Sequence, residues 1–384
     1  MIEVLLLETI SALEVPMNEY IKKLITVAVS FLFVTFAVLH CNPKSGWAQA
    51  DLQFMCDLLL QDHPSIYNQE DQEFKTLLAS SQEKTVQQLN SAQNDNQRIE
   101  TLKEFAHSFN DGHIGICFDH QNATKPEPDK SSPNFQIKHI DKNSVWVTLP
   151  TFMIESPSGT QFDAILEQLP YFQKCESIIF DVRGNRGGNS FFVSQLLSTF
   201  FGTDYYKYHK EKADSQTFVD WRASSGNYAY LQKLQEQFNT QFGSESTQYI
   251  WVTSIVSGMS KALENNEPFY TEKPQAQNQD DTPKNVVTAR IFIIIDKKCG
   301  SACLDFIDDL YAMNHPITLI GETTSSDSLY MEARFERLPS DRGDFYFPIK
   351  VYRNRPRGHN VPYCPDIKIA SLNEQEILKR KLLS

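Results

Sequence analysis

The sequence predicts an α/β protein: helices laid on one sheet, preceded by a small helical region. Two patterns carry that expectation. From residue 144 to residue 320, short apolar runs alternate with stretches of helical period, which is how a chain places helices on the faces of a sheet. From 51 to about 110, leucine and phenylalanine recur at spacings of three and four among Gln, Glu and Lys, the mark of amphipathic helices. The 384 residues are 41% apolar and include 26 Phe, 15 Tyr and 4 Trp. That is enough for one large core or two ordinary ones and excludes a mostly disordered chain. No internal repeat is present.

In chain order, Leu102, Phe105 and Phe109 form one helical face, and Asp111-Gly112 breaks it. Residues 113–118 are strand-like, and a loop rich in Pro, Asp and Lys follows at 124–133. A strand is expected at 144–148, a helix at 161–173, a fully apolar strand at 177–182 and a buried helix at 191–201. The stretch from about 203 to 247, rich in Tyr, Lys and Gln, reads as an insertion. Further strands are expected at 249–253, 290–295 and 317–320, with a helix at 301–313. The Gln, Asn, Asp and Pro-rich segment 265–284 reads as a loop.

The first fifty residues differ from the rest. Lys22 and Lys23 precede an uncharged run at 24–39, and Ala48-Gln49-Ala50 supplies a small-x-small cleavage pattern. Basic start, apolar run and cleavage pattern together predict a signal peptide at 1–50, a mature chain starting at Asp51 and a secreted or periplasmic protein. The run is short for a membrane span, so membrane association is expected only through this segment if it stays uncleaved. The acidic residues before Met17 make Met17 a candidate true start. Cys41 is a weak lipidation candidate, because bulky His40 precedes it. In an oxidising compartment Cys56, Cys117, Cys175, Cys299, Cys303 and Cys364 are expected to form disulfides in a pairing the sequence does not choose. With 36 basic against 48 acidic residues, the net charge of −12 argues against nucleic acid as a partner.

Three local features could carry chemistry. Cys299-Gly300-Ser301-Ala302-Cys303 follows an apolar strand and opens a helix, where free backbone N–H groups favour bound negative charge. A serine there also reads as an ordinary N-cap. The run from Asp181 to Asn189 places Gly187-Gly188 after a buried strand. Paired glycines permit close backbone approach and offer N–H donors, or simply make a tight turn. Neither a Gly-Lys-Ser/Thr loop nor the dinucleotide G-x-G-x-x-G is present. Asp111-Gly112-His113 places a histidine at a turn, where alone it would be structural or solvent-facing.

Taken in order, these features resemble the S41 family of serine peptidases, from about residue 51 to 367. Asp111-Gly112-His113 is similar to that family's D-G-H motif, and Asp181 to Asn189 to its D-x-R-x-N-x-G-G-N motif. Gly300-Ser301-Ala302 looks like its nucleophile motif. His63-Pro64, Gly321-Glu322-Thr323-Thr324, Leu338-Pro339 and Pro365-Asp366-Ile367 look like further landmarks. The resemblance implies a ClpP/crotonase-like core at 111–384, a helical region at 51–110, and peptide or protein substrates. It also implies Ser301 as nucleophile, with Gly187 or Gly188 and Ala302 donating N–H groups to the oxyanion. Such donors contribute about 3–4 kcal/mol each to transition-state stabilisation. The processing-protease branch uses a lysine about 25 residues after the serine, and residues 321–332 hold none. The tricorn-like branch uses histidine, which makes His113 the expected general base.

Three departures stand out. Gly112 replaces the serine expected before the histidine, and His359 falls where a glutamate is expected. The group orienting His113 is therefore unassigned, with Glu332 and Asp327 as candidates. The 30 residues between His113 and Ser144 leave no room for the PDZ domain of the processing proteases. A non-catalytic protein binding a peptide or apolar ligand on the same scaffold is the second expectation. A cysteine nucleophile, Cys299 or Cys303, is the third. No metal or organic cofactor is suggested.

Overall fold

The computed structural model describes residues 46–119, 134–154, 158–274 and 282–369. The expectations for Met17, Lys22, Lys23, the apolar run, Cys41 and the 124–133 loop lie outside the described residues.

The chain opens with three helices, α1 (Gly46–Asp62), α2 (Phe74–Ser91) and α3 (Asp95–His107). Local caps fix their limits. His63 Nδ1 accepts from Ser65 N at 3.1 Å in the turn after α1, and Asn94 Oδ1 accepts from Gln97 N at 3.0 Å at the start of α3. Then come β1 (Gly115–Phe118), β2 (Gln136–His139) and β3 (Ser144–Thr148). Next are α4 (Ser158–Phe172), β4 (Ser177–Asp181), α5 (Ser190–Phe201) and α6 (Thr203–Ala213). They are followed by β5 (Phe218–Arg222), α7 (Ser225–Phe242), α8 (Thr247–Glu264) and β6 (Phe269–Glu272). The rest is β7 (Arg290–Ile295), α9 (Ala302–Ala312), β8 (Ile317–Gly321), β9 (Tyr330–Arg337), β10 (Gly343–Arg353) and β11 (Ile367–Lys368).

Two sheets result. The first has the order β11-β8-β7-β4-β3-β2, parallel except at the β2–β3 pair. Its central strands are covered on both faces, so they are apolar without alternation: Ile178, Ile179 and Phe180 of β4 and Ile293, Ile294 and Ile295 of β7 are all fully buried. The second sheet is antiparallel, β1-β10-β5-β6 with β9 also on β10. One core fills the space between the parallel sheet and α4, α5, α6 and α9. A second joins α1–α3, α7 and α8 to the antiparallel sheet. The loops after β4 and β7 leave the carboxyl ends of neighbouring parallel strands, the place where open α/β sheets hold ligands.

Several expectations need correcting. Residues 249–253 belong to helix α8, not to a strand. Val252, Ile255, Val256, Met259 and Ala262 are its buried positions, a helical spacing that a five-residue window of aromatic and β-branched residues hides. The stretch expected as an insertion holds α6, β5 and α7, and β5 sits inside the antiparallel sheet. The segment expected as a loop contains β6, with 275–281 outside the described residues.

The six described cysteines are all free thiols, contrary to the expected disulfides. Cys299 Sγ donates to Val182 O at 3.1 Å, a bond that a disulfide sulfur has no hydrogen to make. The Ala48-Gln49-Ala50 pattern lies inside α1. Ala48 is wholly buried, and Trp47 Nε1 donates to Asp95 at 3.3 Å, so cleavage after Ala50 would strip packed residues from the fold.

Thiol titration in denaturant without reductant is expected to find Cys56, Cys117, Cys175, Cys299, Cys303 and Cys364 all reactive; a shortfall of two or more would reveal a bridge.

Candidate active site

The loop after β7 delivers Ser301. Asp296 accepts from Lys298 N at 2.9 Å and Gly184 N at 3.1 Å, tying this loop to the one after β4. Gly300 N donates to Asn185 O at 3.2 Å. Ser301 then has φ 53° and ψ −129°, a left-handed conformation that costs a non-glycine residue about 1–3 kcal/mol. It occupies the N-cap position of α9, yet its hydroxyl caps no helix amide. The ordinary capping role therefore does not explain this serine.

The loop after β4 is folded around Asn185. This buried side chain donates to Leu149 O at 2.9 Å and accepts from Gly187 N at 2.8 Å. Gly187 has φ 94°, and a Cβ there would stand 2.7 Å from Ser301 Cβ and Ala302 N. Gly188 has φ 142° and forms a bridge with Phe152. Glycine is required at both positions by backbone conformation and by lack of space. The Gly187 N–H is already given to Asn185. Among the described residues, the Gly188 and Ala302 N–H groups have no acceptor. Two free donors beside a serine at a helix start can hold an oxygen that gains negative charge.

The turn between α3 and β1 delivers His113. Asp111 Oδ1 accepts from His113 N at 2.8 Å and lies 3.4 Å from His113 Nδ1. Asp111 Oδ2 accepts from Ser328 Oγ at 2.7 Å. Burial lowers the pKa of His113, but the Asp111 carboxylate, with Asp327 and Asp305 further off, outweighs it and raises the value above the usual 6.5. Burial likewise raises Asp111, and its bonds from His113 and Ser328 more than offset it, holding the carboxyl below its ordinary value. The pair thus favours imidazolium facing carboxylate.

Ser301 and His113 are not hydrogen-bonded to each other here. They are linked only indirectly, through carboxylates that bear on both. Asp327 accepts from Ser301 N at 3.1 Å, and Asp305 lies one turn along α9 with its N–H on Ser301 O at 3.2 Å. Both act on the His113 charge.

Among the described residues, neither expected orienting group hydrogen-bonds to the His113 ring. Glu332 is bound by Lys350 Nζ at 3.2 Å on the antiparallel sheet, and Asp327 serves the Ser301 backbone. The group at the His113 ring is Asp111. Its signal was the two-residue spacing inside the D-G-H motif, which lets a carboxylate fold back on its own turn.

His63 is buried, stacked on Phe74 at 4.4 Å, and pushed down to about 4, chiefly by burial. It is a neutral structural residue. Cys303 is fully buried, which pushes its thiol well up, and Cys299 is spent on Val182 O, so neither suits a nucleophile. A cavity of about 840 Å³ opens beside α9, lined by Ser190, Asp305, Lys350, Arg355 and Arg357 among others. Ser190 Oγ and Asp305 join at 2.6 Å on its rim, one residue past Asn189 and one turn past Ser301.

A model of peptidase family S41 matches residues 144–368. Mature CPAF is structurally similar, with TM-score 0.54 at 12% identity over 84% of this chain and 92% of that one. CPAF complexed with lactacystin gives TM-score 0.54 at 11% identity over 84% and 94%. A lipoprotein from Streptococcus agalactiae gives TM-score 0.45 at 13% identity over 88% and 96%. No curated protein sequence matches the chain.

Gly187→Ala is expected to destabilise the fold by about 1–3 kcal/mol and to abolish activity, because its methyl would enter Ser301; chemical denaturation and turnover measure both. Asp111→Asn is expected to lower kcat by about 10²-fold or more. A base must be neutral to take a proton, and its activity appears as pH rises through its pKa. Removing the carboxylate lowers that pKa, so the acid limb of the pH–rate profile should move to lower pH.

Proposed function

The chain belongs to peptidase family S41 and is a serine-type peptidase, and we propose that it cleaves peptide bonds with Ser301 as nucleophile and His113 as general base. The observation that carries this reading is Ser301 itself. It is a strained serine at a helix start whose hydroxyl caps nothing, beside two N–H groups without acceptors. A binding protein on the same scaffold has no use for that strain.

In the proposed cycle, Ser301 Oγ attacks the scissile carbonyl as its proton passes to His113 Nε2. Asp111 holds Nδ1 and stabilises the imidazolium. The tetrahedral oxyanion takes hydrogen bonds from the Gly188 and Ala302 N–H groups, and Gly187 contributes space rather than a donor. The imidazolium then gives its proton to the leaving amine. Water repeats the sequence on the acyl-enzyme, with His113 again as base.

Secretion is proposed from the basic and apolar N-terminal pattern, with processing ahead of Gly46 rather than after Ala50, since α1 is packed from its first turn. N-terminal sequencing of protein recovered from the medium or periplasm checks this. A mature chain starting at Asp51 would contradict it.

Ser301→Ala should reduce kcat/KM by about 10⁴-fold or more and abolish labelling by a fluorophosphonate with the fold intact. Undiminished labelling would overturn the assignment. Lactacystin is a second probe to try, because CPAF has been captured with it.

A further inference from the structure

The segment before β9, which the proposed cycle leaves unused, bonds to both parts of the site. Ser325 Oγ donates to Cys299 O at 2.5 Å, Ser328 Oγ to Asp111, and Asp327 accepts from the nucleophile's own backbone. Resting on the reading of Ser301 as nucleophile, we propose that Asp327 is a positioning residue: its carboxylate holds Ser301 in the left-handed conformation, and Arg357 holds the carboxylate.

A non-glycine residue stays in that region only where its surroundings over-determine it. The Ser301 carbonyl is held by Leu304 N at 2.7 Å and Asp305 N at 3.2 Å, bonds that any helix start supplies. The Ser301 N–H has no such routine partner. It meets Asp327 Oδ1 at 3.1 Å in a charge-assisted bond. Asp327 Oδ2 lies 3.4 Å from Arg357 Nη1, and Arg357 Nε reaches both oxygens of Asp308 at 3.1–3.2 Å. The Asp327 and Arg357 side chains are 7% and 2% exposed. A buried ion pair adds little net stability over apolar packing, so the gain from this one is geometric. It fixes the peptide plane between Gly300 and Ser301, and with it the direction of the hydroxyl and of the Ala302 N–H.

The same carboxylate acts on the base. Among the described residues, Asp111 on its own turn lies 3.4 Å from the His113 ring, and Asp327 from the segment before β9 and Asp305 from α9 also favour its charge. Behind the last two stand Arg357 and Arg355. Removing the Asp327 charge should ease proton loss from His113. Removing the Arg357 charge should hinder it, because the carboxylate is then less neutralised.

The test measures kcat, KM, pH–rate profiles and fluorophosphonate labelling rates for the intact protein. Asp327→Asn keeps an oxygen for the Ser301 N–H without the charge. Its labelling and kcat should fall about five- to tenfold, with KM little changed and the acid limb moved to lower pH. Asp327→Ala removes the acceptor and should lose about 10²-fold, with Ser301 leaving positive φ in a crystal structure of the variant. Arg357→Gln should move the acid limb the other way, to higher pH. If the alanine variant does not fold, the Asn and Gln pair carries the test. Wild-type labelling rates in the Asp327 variants, or acid limbs of Asn and Gln moving together, would overturn this role while leaving Ser301 as nucleophile. A wild-type adduct on another residue would overturn the nucleophile assignment and this role with it.

Discussion

Ser301 sits at φ 53° because two separate segments converge on two residues of backbone. Gly187 presses against it from the β4 loop with no side chain to intervene. Asn185 O takes the Gly300 N–H, and Asp327 takes the Ser301 N–H. This convergence is possible only because β4 and β7 are parallel neighbours, so that their loops leave on the same side of the sheet. Every other feature of the site follows from that junction. The free Ala302 N–H and the unspent hydroxyl both take their position from where this peptide is pinned.

The proposed base is carried by the second sheet. His113 lies on the turn into β1, which pairs with β10, while Ser301 belongs to the parallel layer. The segment between β8 and β9 spans the two, and its polar side chains bind both sides at once: Ser325 and Asp327 on the Ser301 loop, Ser328 on Asp111. Two opposing effects meet at the imidazole. Burial disfavours its charge, whereas three carboxylates favour it, and the carboxylates win. A general base made more basic in this way takes a proton from serine more readily but needs a higher pH to be free. The arginines behind Asp327 and Asp305 temper that effect.

Much of this was legible from residue order alone. The alternation of apolar runs and helical stretches gave the parallel layer, because strands buried on both faces must be continuously apolar. The family resemblance of the local motifs points to Ser301, to Gly187 or Gly188 and to Ala302, and a strand–turn–helix carries such a serine and its neighbouring N–H groups within a few residues of chain. Asp111 was inside a quoted motif, but its part depends on the turn folding back, which Ser328 secures from 217 residues away. Contacts of that range have no local signature. Glu332 is one of two candidates for orienting His113, and Lys350 holds it on the antiparallel sheet instead. The β9–β10 hairpin has no clear two-residue alternation to reveal it, because β9 opens with two buried residues in succession and β10 is buried continuously from Phe347 to Val351. The strand expected at 249–253 failed because β-propensity over five residues loses to a helical stripe running through Ala262.

The central claim is that one strained serine, served by a histidine made more basic by its carboxylates, is the reacting group. Its most direct test is peptide mapping by mass spectrometry of wild-type protein treated with a fluorophosphonate across a pH series. The account predicts an adduct on Ser301 alone, forming at a rate that rises through a single ionisation above the ordinary histidine value near 6.5. An adduct on Ser325, Ser328 or a cysteine, or a rate on Ser301 that ignores pH across that range, would contradict it.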